Sequence, residues 1–180
     1  MNNLLEILKR FKDKNIAVIG DIMLDHYIYG DVSRISPEAP VPIVLVNKES
    51  FFLGGAANVA NNIASLGAKA TLYGIANKDD YGGKKLLSLN NKINLKIFHD
   101  ERKTTIKTRI MASDQQLIRF DQENQEKIPP KIENEILNSF KEEVKDFDAI
   151  VLSDYNKGIF TKNITKGIID LSNKNKKVSV

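Results

Sequence analysis

Apolar residues recur along this chain in two spacings, and each spacing predicts a different kind of element. Short continuous apolar runs, typical of buried strands, occur at 16–20, 70–76 and 149–153. Apolar residues at helical spacing predict an opening helix from Leu4 to Phe11 and further helices at 55–66, 83–90, 130–144 and 161–172. Strands that alternate with helices indicate an α/β fold with a doubly wound, mainly parallel sheet.

Two pairs of segments interrupt this order and predict hairpin strands outside the main sheet. The pairs are 27–30 with 41–46 and 104–111 with 115–121, the latter joined across Ala112-Ser113-Asp114. Strict alternation in the second pair puts Lys107 and Arg109 on one face of a strand. We therefore expect a small antiparallel β lid, at about residues 26–46 and 104–121, with one basic face that can cover a ligand.

The end of the chain has the pattern of an unfinished βα unit. Residues Lys177 to Val180 resemble the start of a buried strand that follows a helix. No internal repeat, low-complexity tract or linker divides the chain, so residues 1–180 are expected to be the amino-terminal portion of one domain, with no second domain. We expect the carboxyl-terminal part of the fold to be missing.

Composition and charge narrow the class of protein. With 42% hydrophobic and 28% charged residues, the chain is typical of a soluble folded domain. It lacks an apolar run long enough to span a bilayer and lacks a signal-peptide layout, so we expect a cytoplasmic protein without a membrane partner. The net charge of +4 comes from lysines scattered among acids, which favours a solvated surface over nucleic-acid binding. Without cysteine, and with only His26 and His99 as histidines, we expect no thiolate or histidine-rich transition-metal site, and no metal-binding residue is assigned in this chain.

A glycine-rich segment, Gly54-Gly55-Ala56-Ala57-Asn58-Val59-Ala60, opens an apolar helical stretch that Gly67 closes. Small residues allow a ligand to approach the backbone, and the free amides of a first helical turn can bind oxygen atoms. A tight turn with a helix-ending glycine explains the same residues without a ligand. The pattern alone leaves both interpretations open.

A second segment, Gly20-Asp21-Ile22-Met23-Leu24-Asp25, follows the first predicted strand. Open α/β sheets bind ligands at the carboxyl ends of their strands, and two carboxylates there suit the hydroxyl groups of a sugar. The alternative is that Asp21 and Asp25 only cap or turn the chain.

Together these segments resemble the motifs of the ribokinase-like (PfkB-type) carbohydrate kinases. The finer resemblance is to the heptose 7-phosphate kinases, which are often fused to a nucleotidyltransferase as ADP-heptose synthases. It rests on Ser33-Arg34-Ile35-Ser36-Pro37-Glu38-Ala39-Pro40-Val41-Pro42, Gln115-Gln116-Leu117-Ile118-Arg119 and Leu152-Ser153-Asp154-Tyr155-Asn156-Lys157-Gly158. One departure is Asn77, where the family usually has glycine; asparagine tolerates the left-handed backbone that such a turn uses.

The resemblance implies sugar-binding residues in this chain. Asp25 matches the carboxylate that binds sugar hydroxyls in the family, and Gly54, Gly55 and Asn58 match its glycine-rich sugar contacts. It also implies that ATP, Mg²⁺ and the catalytic aspartate are held mainly by the missing carboxyl-terminal half, so no catalytic residue is assigned here. The chain contains no GxxxxGK[ST] and no GxGxxG pattern that would offer an independent nucleotide site.

Further polar residues are candidates from their chemistry. Lys107, Arg109 and Arg119 suit the phosphate of a sugar phosphate, with a solvated lid face as the alternative. Asp154 and Lys157 follow the 149–153 strand, where they can reach the substrate or the transferred phosphoryl group, with a structural ion pair as the alternative.

The resemblance implies a function for the complete protein: ATP-dependent phosphorylation of D-glycero-D-manno-heptose 7-phosphate at O1, toward ADP-heptose and lipopolysaccharide core. The alternatives are another ribokinase-like sugar or nucleoside kinase, or a non-catalytic truncated fragment that at most binds sugar phosphate. We expect the isolated 180-residue chain to be inactive. Lid strands with apolar positions also suggest a homodimer, with Ile43, Leu45, Ile106 and Ile110 at the contact.

Overall fold

The computed structural model describes residues 2–89, 92–112 and 115–180, with side chains from Leu5 onward. Its helices are α1 (Asn2–Lys9), α2 (Ala56–Ser65), α3 (Tyr81–Leu89), α4 (Pro130–Glu143) and α5 (Lys162–Lys174). Its strands are β1 (Asn15–Gly20), β2 (Ile22–Ile35), β3 (Pro42–Gly55), β4 (Lys69–Ala76), β5 (Asn94–His99), β6 (Ile106–Ala112), β7 (Gln115–Gln122), β8 (Ala149–Ser153) and β9 (Val178–Ser179). The predicted positions Asn90, Ser113 and Asp114, and the side chain of Leu4, lie outside the described part.

The main sheet is parallel, as the alternation of strands and helices predicts. Its strand order is β5-β4-β1-β8-β9, with β1 in the centre. Successive residues of β1 point to opposite faces, and Val18 and Ile19 are both fully buried. Ile19 packs in the core under α4 and α5, whereas Val18 packs in the core under α2 and α3. Both faces of the centre are therefore covered, which is the arrangement that a doubly wound fold requires.

The second sheet is the lid, defined here as β3-β2-β6-β7 in that order. The prediction of an antiparallel lid is wrong in one respect, because β2 pairs with β6 in parallel while β2–β3 and β6–β7 are antiparallel. The chain leaves β3, passes through the main sheet at β4 and β5, and returns to the lid at β6. That crossover allows β6 to run in the same direction as β2.

Strand lengths and one whole strand also differ from the prediction. Strands β2 and β3 each have 14 residues and extend into the main body, so Gly54 and Gly55 end a strand rather than start a helix. Strand β5 was not predicted, because it is an edge strand whose sequence mixes Asn94, Lys96 and His99 with apolar residues.

The last strand and the turn at Asn77 correct two smaller expectations. Strand β9 forms, but Val178 is 65% exposed, because it lies at the edge of the sheet and not in its interior. Asn77 is not among the residues with positive φ. Its side chain instead accepts a hydrogen bond from the amide of Asp79 (3.0 Å) and its own amide donates to the Thr104 hydroxyl (3.1 Å), which holds the turn without a left-handed residue.

Candidate functional site

Asp21 lies at the carboxyl end of β1 and is 2% exposed. Its carboxylate accepts hydrogen bonds from the amides of Tyr155 (2.9 Å) and Lys157 (3.0 Å), and its backbone carbonyl accepts one from the Ala56 amide (2.9 Å). Burial raises the pKa of Asp21, while the backbone amides act in the opposite direction. Of the two interpretations of Asp21, these contacts support the structural one: the carboxylate holds the loop after β8, and the backbone carbonyl holds the start of α2.

Asp25 lies on β2, four residues after Asp21. It occupies the face of the lid that also carries Gly54. A Cβ on Gly54 would stand 2.5 Å from Oδ2 of Asp25, so only glycine leaves room for that carboxylate. Gly55 has φ of 56°, and a side chain there would collide with the Asp21 carbonyl oxygen. The two glycines therefore have different functions: Gly54 makes room for Asp25, and Gly55 makes the turn into α2.

Asn58 occupies the first turn of α2 and is exposed. Gly55, the residue before the helix, provides no side-chain cap for that turn. Ala56 and Ala57, which precede Asn58, are buried in the core. The first turn thus presents Asn58 to solvent while its apolar residues anchor the helix.

The lid face around Asp25 is charged, but it is not the basic face that the alternation of Lys107 and Arg109 predicts. Arg109 donates to Asp25 (Nη1 to Oδ1, 2.6 Å), and Lys107 contacts both Asp121 (2.8 Å) and Glu123 (3.4 Å). The side chains of Lys107 and Arg109 are only 11% and 18% exposed, so the alternative of a solvated lid face is wrong for these two, whereas Arg119 is 42% exposed. Carboxylates from neighbouring strands neutralise the cations, because partly buried charges are costly without partners.

Two further cations complete what we call the charge cluster: Asp25, Lys107, Arg109, Arg119, Asp121, Glu123 and Lys157. Arg119 binds Asp121 through two nitrogens (2.8 and 2.6 Å), and Lys157 donates to Glu123 (2.9 Å). The hydrogen bond from Arg119 holds the pKa of Asp121 far below its ordinary value, and the one from Lys157 lowers the pKa of Glu123. Glu123 thereby joins the lid strand β6 to the loop that follows β8.

The loop after β8 contains the other two predicted site residues, Asp154 and Lys157. The Asp154 carboxylate accepts from the Asn156 amide (2.7 Å) and shapes a turn in which Asn156 has a φ of 56°. Asp154 is exposed and, within the part of the chain that the structure describes, makes no hydrogen bond with the charge cluster, whereas Lys157 belongs to it. The ion pair predicted as the structural alternative for Lys157 exists, although its partner is Glu123.

The structure thus brings five of the nine predicted residues into the charge cluster and places Gly54 directly beside Asp25, while Gly55, Asn58 and Asp154 lie apart from it. Sequence reasoning missed Asp121 and Glu123. Arg119, Asp121 and Glu123 are two residues apart along the chain, so an extended segment places all three on one side. This spacing could have predicted that the two carboxylates lie beside Arg119.

Cavity size does not mark this site. A cavity of about 460 Å³ lies between the end of β5 and the start of α4, and its lining includes His99, Asp100 and Lys131 but none of the predicted residues. Within the described ranges, no group of three or more His, Asp and Glu side chains is arranged to hold a metal ion. Nor does that part of the chain contain a helix long and apolar enough to cross a membrane.

Comparison with known proteins identifies the family to which this chain belongs. Residues 13–176 match the family model described as pfkB family carbohydrate kinase. The chain is 43% identical over 175 residues to the bifunctional protein HldE of Sulfurimonas denitrificans, covering 95% of this chain and 36% of that protein. Against the HldE of Helicobacter pylori strain J99 it is 43% identical over 169 residues, covering 92% and 36%. The chain therefore spans about a third of the length of these curated relatives.

Solved structures show the same fold at low sequence identity. A carbohydrate kinase from Agrobacterium tumefaciens superposes with a TM-score of 0.65 at 16% identity, covering 92% of this chain and 52% of that one. The tetrameric inhibited form of phosphofructokinase-2 from Escherichia coli gives 0.61 at 20%, covering 92% and 53%. The ribokinase-like α/β fold expected from the sequence is confirmed.

Glu123→Gln tests the charge cluster through the pH dependence of stability. Because the pKa of Glu123 is lowered below its ordinary 4.5, the ionised carboxylate stabilises the folded chain above that pH, and the contribution is lost as the pH falls through the lower folded pKa. We expect the variant to lose up to about 1 kcal/mol of unfolding free energy at pH 7 and to show a shallower loss between about pH 5 and pH 3. Urea unfolding at a series of pH values measures both.

The matched control for this prediction is Glu135→Gln on α4, which removes an exposed glutamate outside the cluster. Its pH profile should run parallel to that of the wild-type chain. Identical profiles for Glu123→Gln and Glu135→Gln would show that the Lys157 contact contributes nothing to stability.

Proposed function

Because this chain belongs to the pfkB family of carbohydrate kinases, we propose that it forms the sugar-phosphate site of a heptose 7-phosphate kinase. The reaction transfers the γ-phosphoryl group of ATP to the anomeric hydroxyl of D-glycero-D-manno-heptose 7-phosphate and gives the 1,7-bisphosphate. This product leads to ADP-heptose and the lipopolysaccharide core. We place the reaction in the cytoplasm, where ATP is available.

One observation carries the proposal: three carboxylates and four cations form the charge cluster where the lid meets the carboxyl-terminal edge of a parallel sheet. A sugar phosphate needs acceptors for its hydroxyl groups and cations for its phosphate, and both are present. Identity of 43% to HldE proteins along nearly the whole chain supports a heptose substrate.

We assign roles to the residues accordingly. Asp25 accepts hydrogen bonds from the sugar hydroxyls, Gly54 and Gly55 let the ring approach the backbone, and Asn58 contacts it from the start of α2. Lys107, Arg109 and Arg119 bind the substrate phosphate, which competes with Asp121 and Glu123 for the lysine and Arg119 and with Asp25 for Arg109. Lys157 and Asp154 lie at the sheet edge and steer the acceptor hydroxyl; catalysis consists mainly of positioning and charge neutralisation.

ATP and Mg²⁺ are the cosubstrate and metal of this proposal. Among the described residues, no group of three or more His, Asp or Glu side chains is placed to hold a metal ion. We therefore assign neither Mg²⁺ ligands nor the aspartate that accepts the hydroxyl proton to this chain, and the roles above concern the sugar phosphate alone.

The test is ATP consumption by the 180-residue chain and by an extended chain that includes whatever is encoded after Val180. Acceptors are heptose 7-phosphate, fructose 6-phosphate, ribose and adenosine. We expect turnover only with the extended chain and heptose 7-phosphate. A preference for another acceptor would show that heptose 7-phosphate is not the substrate. Turnover by the 180-residue chain would show that this chain contains the catalytic residues.

Asp25→Asn tests the sugar contact. The amide cannot accept as the carboxylate does, and Arg109 loses its ionic partner, so kcat/KM for the heptose phosphate should fall about 10- to 100-fold in the extended chain. The control is Asp31→Asn on the same strand, whose carboxylate accepts from Asn47 (2.7 Å) toward the tip of the lid. Equal kcat/KM in the two variants would exclude Asp25 from the site.

We also propose that the lid forms a homodimer contact. Its outer part carries exposed apolar side chains, namely Val32, Ile35, Val41, Leu45 and Val46. Of the residues predicted for this contact, Leu45 is 49% exposed, while Ile43 and Ile110 are half-buried. The prediction is wrong for Ile106, which does not face this contact because it packs against the core under α2 and α3.

Leu45→Arg tests the dimer by sedimentation velocity on the extended chain. A charge in an apolar contact is unfavourable, so the dimer dissociation constant should rise at least about tenfold. Ile169→Arg, on the exposed side of α5, is the control and should sediment as the wild type does. A wild-type protein that remains monomeric at micromolar concentration removes the proposal.

A further inference from the structure

Phe52 lies on the same face of the lid as Asp25. The two residues are direct partners in the antiparallel register of β2 and β3. Gly54, which makes room for the Asp25 carboxylate, is two residues further along β3 and shares that face. The phenyl ring of Phe52 is therefore a cross-strand neighbour of the proposed sugar-binding carboxylate.

Two adjacent phenylalanines occupy β3, and they differ in that Phe51 packs against the core while Phe52 does not. Phe51 points to the opposite face, stacks on His26 with ring centroids 4.2 Å apart, and packs against the core. Phe52 is 53% exposed, and its ring contact is the edge of Tyr27 at 5.7 Å. Core packing thus explains Phe51 and leaves Phe52 as an apolar surface turned toward solvent beside charged groups.

The groups next to Phe52 fix its position relative to the charge cluster. Tyr27 lies under the guanidinium of Arg109, 5.1 Å from its ring centroid, and Arg109 is bonded to Asp25 at 2.6 Å. Phe52, Tyr27, Arg109 and Asp25 therefore form one continuous surface. Along this surface, the aromatic rings of Phe52 and Tyr27 are followed by the Arg109 guanidinium and then by the Asp25 carboxylate.

A sugar phosphate has three kinds of surface that match this order. The C–H groups of one ring face are apolar, the hydroxyl groups are polar, and the phosphate is anionic. Aromatic rings and a few placed polar groups are the usual lining of small-molecule sites. We propose, on the basis of the function proposed above, that Phe52 packs against the C–H face of the sugar held by Asp25 and so helps to determine which sugars are accepted.

The test is steady-state kinetics of Phe52→Ala and Phe52→Tyr in the extended chain with heptose 7-phosphate. We expect Phe52→Ala to raise KM roughly three- to tenfold, the range for one aromatic contact, with kcat within about twofold. Phe52→Tyr keeps the ring and should retain the wild-type KM. A change in KM without a change in kcat is a readout that simple loss of stability does not produce.

Phe120→Ala is the matched control. Phe120 is 52% exposed on the lid strand β7, but it pairs with Thr108 and so occupies the face opposite Arg119 and Asp121. Its KM should equal that of the wild type. Equal KM values for Phe52→Ala and Phe120→Ala in an active enzyme would overturn this inference alone.

Two other outcomes separate this inference from its premises. If the wild-type extended chain phosphorylates no sugar phosphate, the proposed function fails and the role of Phe52 fails with it. If Phe52→Ala lowers the sedimentation coefficient and its KM returns to the wild-type value at protein concentrations that restore the dimer, Phe52 is a subunit contact and not a sugar contact.

Discussion

The arrangement of the site depends on the contacts of one buried residue, Asp21, through its carboxylate and its backbone carbonyl. Three segments that are distant in sequence meet there: the end of β1, the start of α2 and the loop after β8. A buried carboxylate is unfavourable unless its oxygens accept hydrogen bonds, and here the backbone amides of that loop supply them. The position of Lys157, and through it the contact of Glu123 with the lid, thus depends on a residue that is itself buried.

Charge balance is the second constraint on the lid. Sequence alternation placed Lys107 and Arg109 correctly on one face, yet it could not show that Asp25, Asp121 and Glu123 lie within reach of them. Alternation along one strand gives the face of a residue, while the partners depend on register between strands that are distant in sequence. A phosphate bound here would replace the carboxylates as the partner of these cations. Because the cations are already partly buried, its binding would not have to remove them from solvent.

Much of the fold could be predicted because its elements have clear periods. The central strands, helices α2, α4 and α5 and the existence of a separate lid follow from apolar spacing and family resemblance. The parallel β2–β6 pairing and the strand β5 could not be predicted, since the former is a long-range pairing and the latter is a mixed edge strand. At the site, the resemblance indicated Asp25, Gly54, Gly55 and Asn58, whereas Asp121 and Glu123 required the register of β6 and β7.

The length of β2 has a mechanical consequence. Its 14 residues extend roughly 45 Å, from Ile22 in the core to Ile35 at the exposed tip, without a loop between body and lid. The β2–β3 ladder has register shifts at Tyr29/Gly30 and between Val32 and Arg34, and these are the natural points at which such a ribbon bends. The lid is therefore continuous with the body through two long strands, and a displacement of its tip is transmitted along them to Asp25 and Gly54.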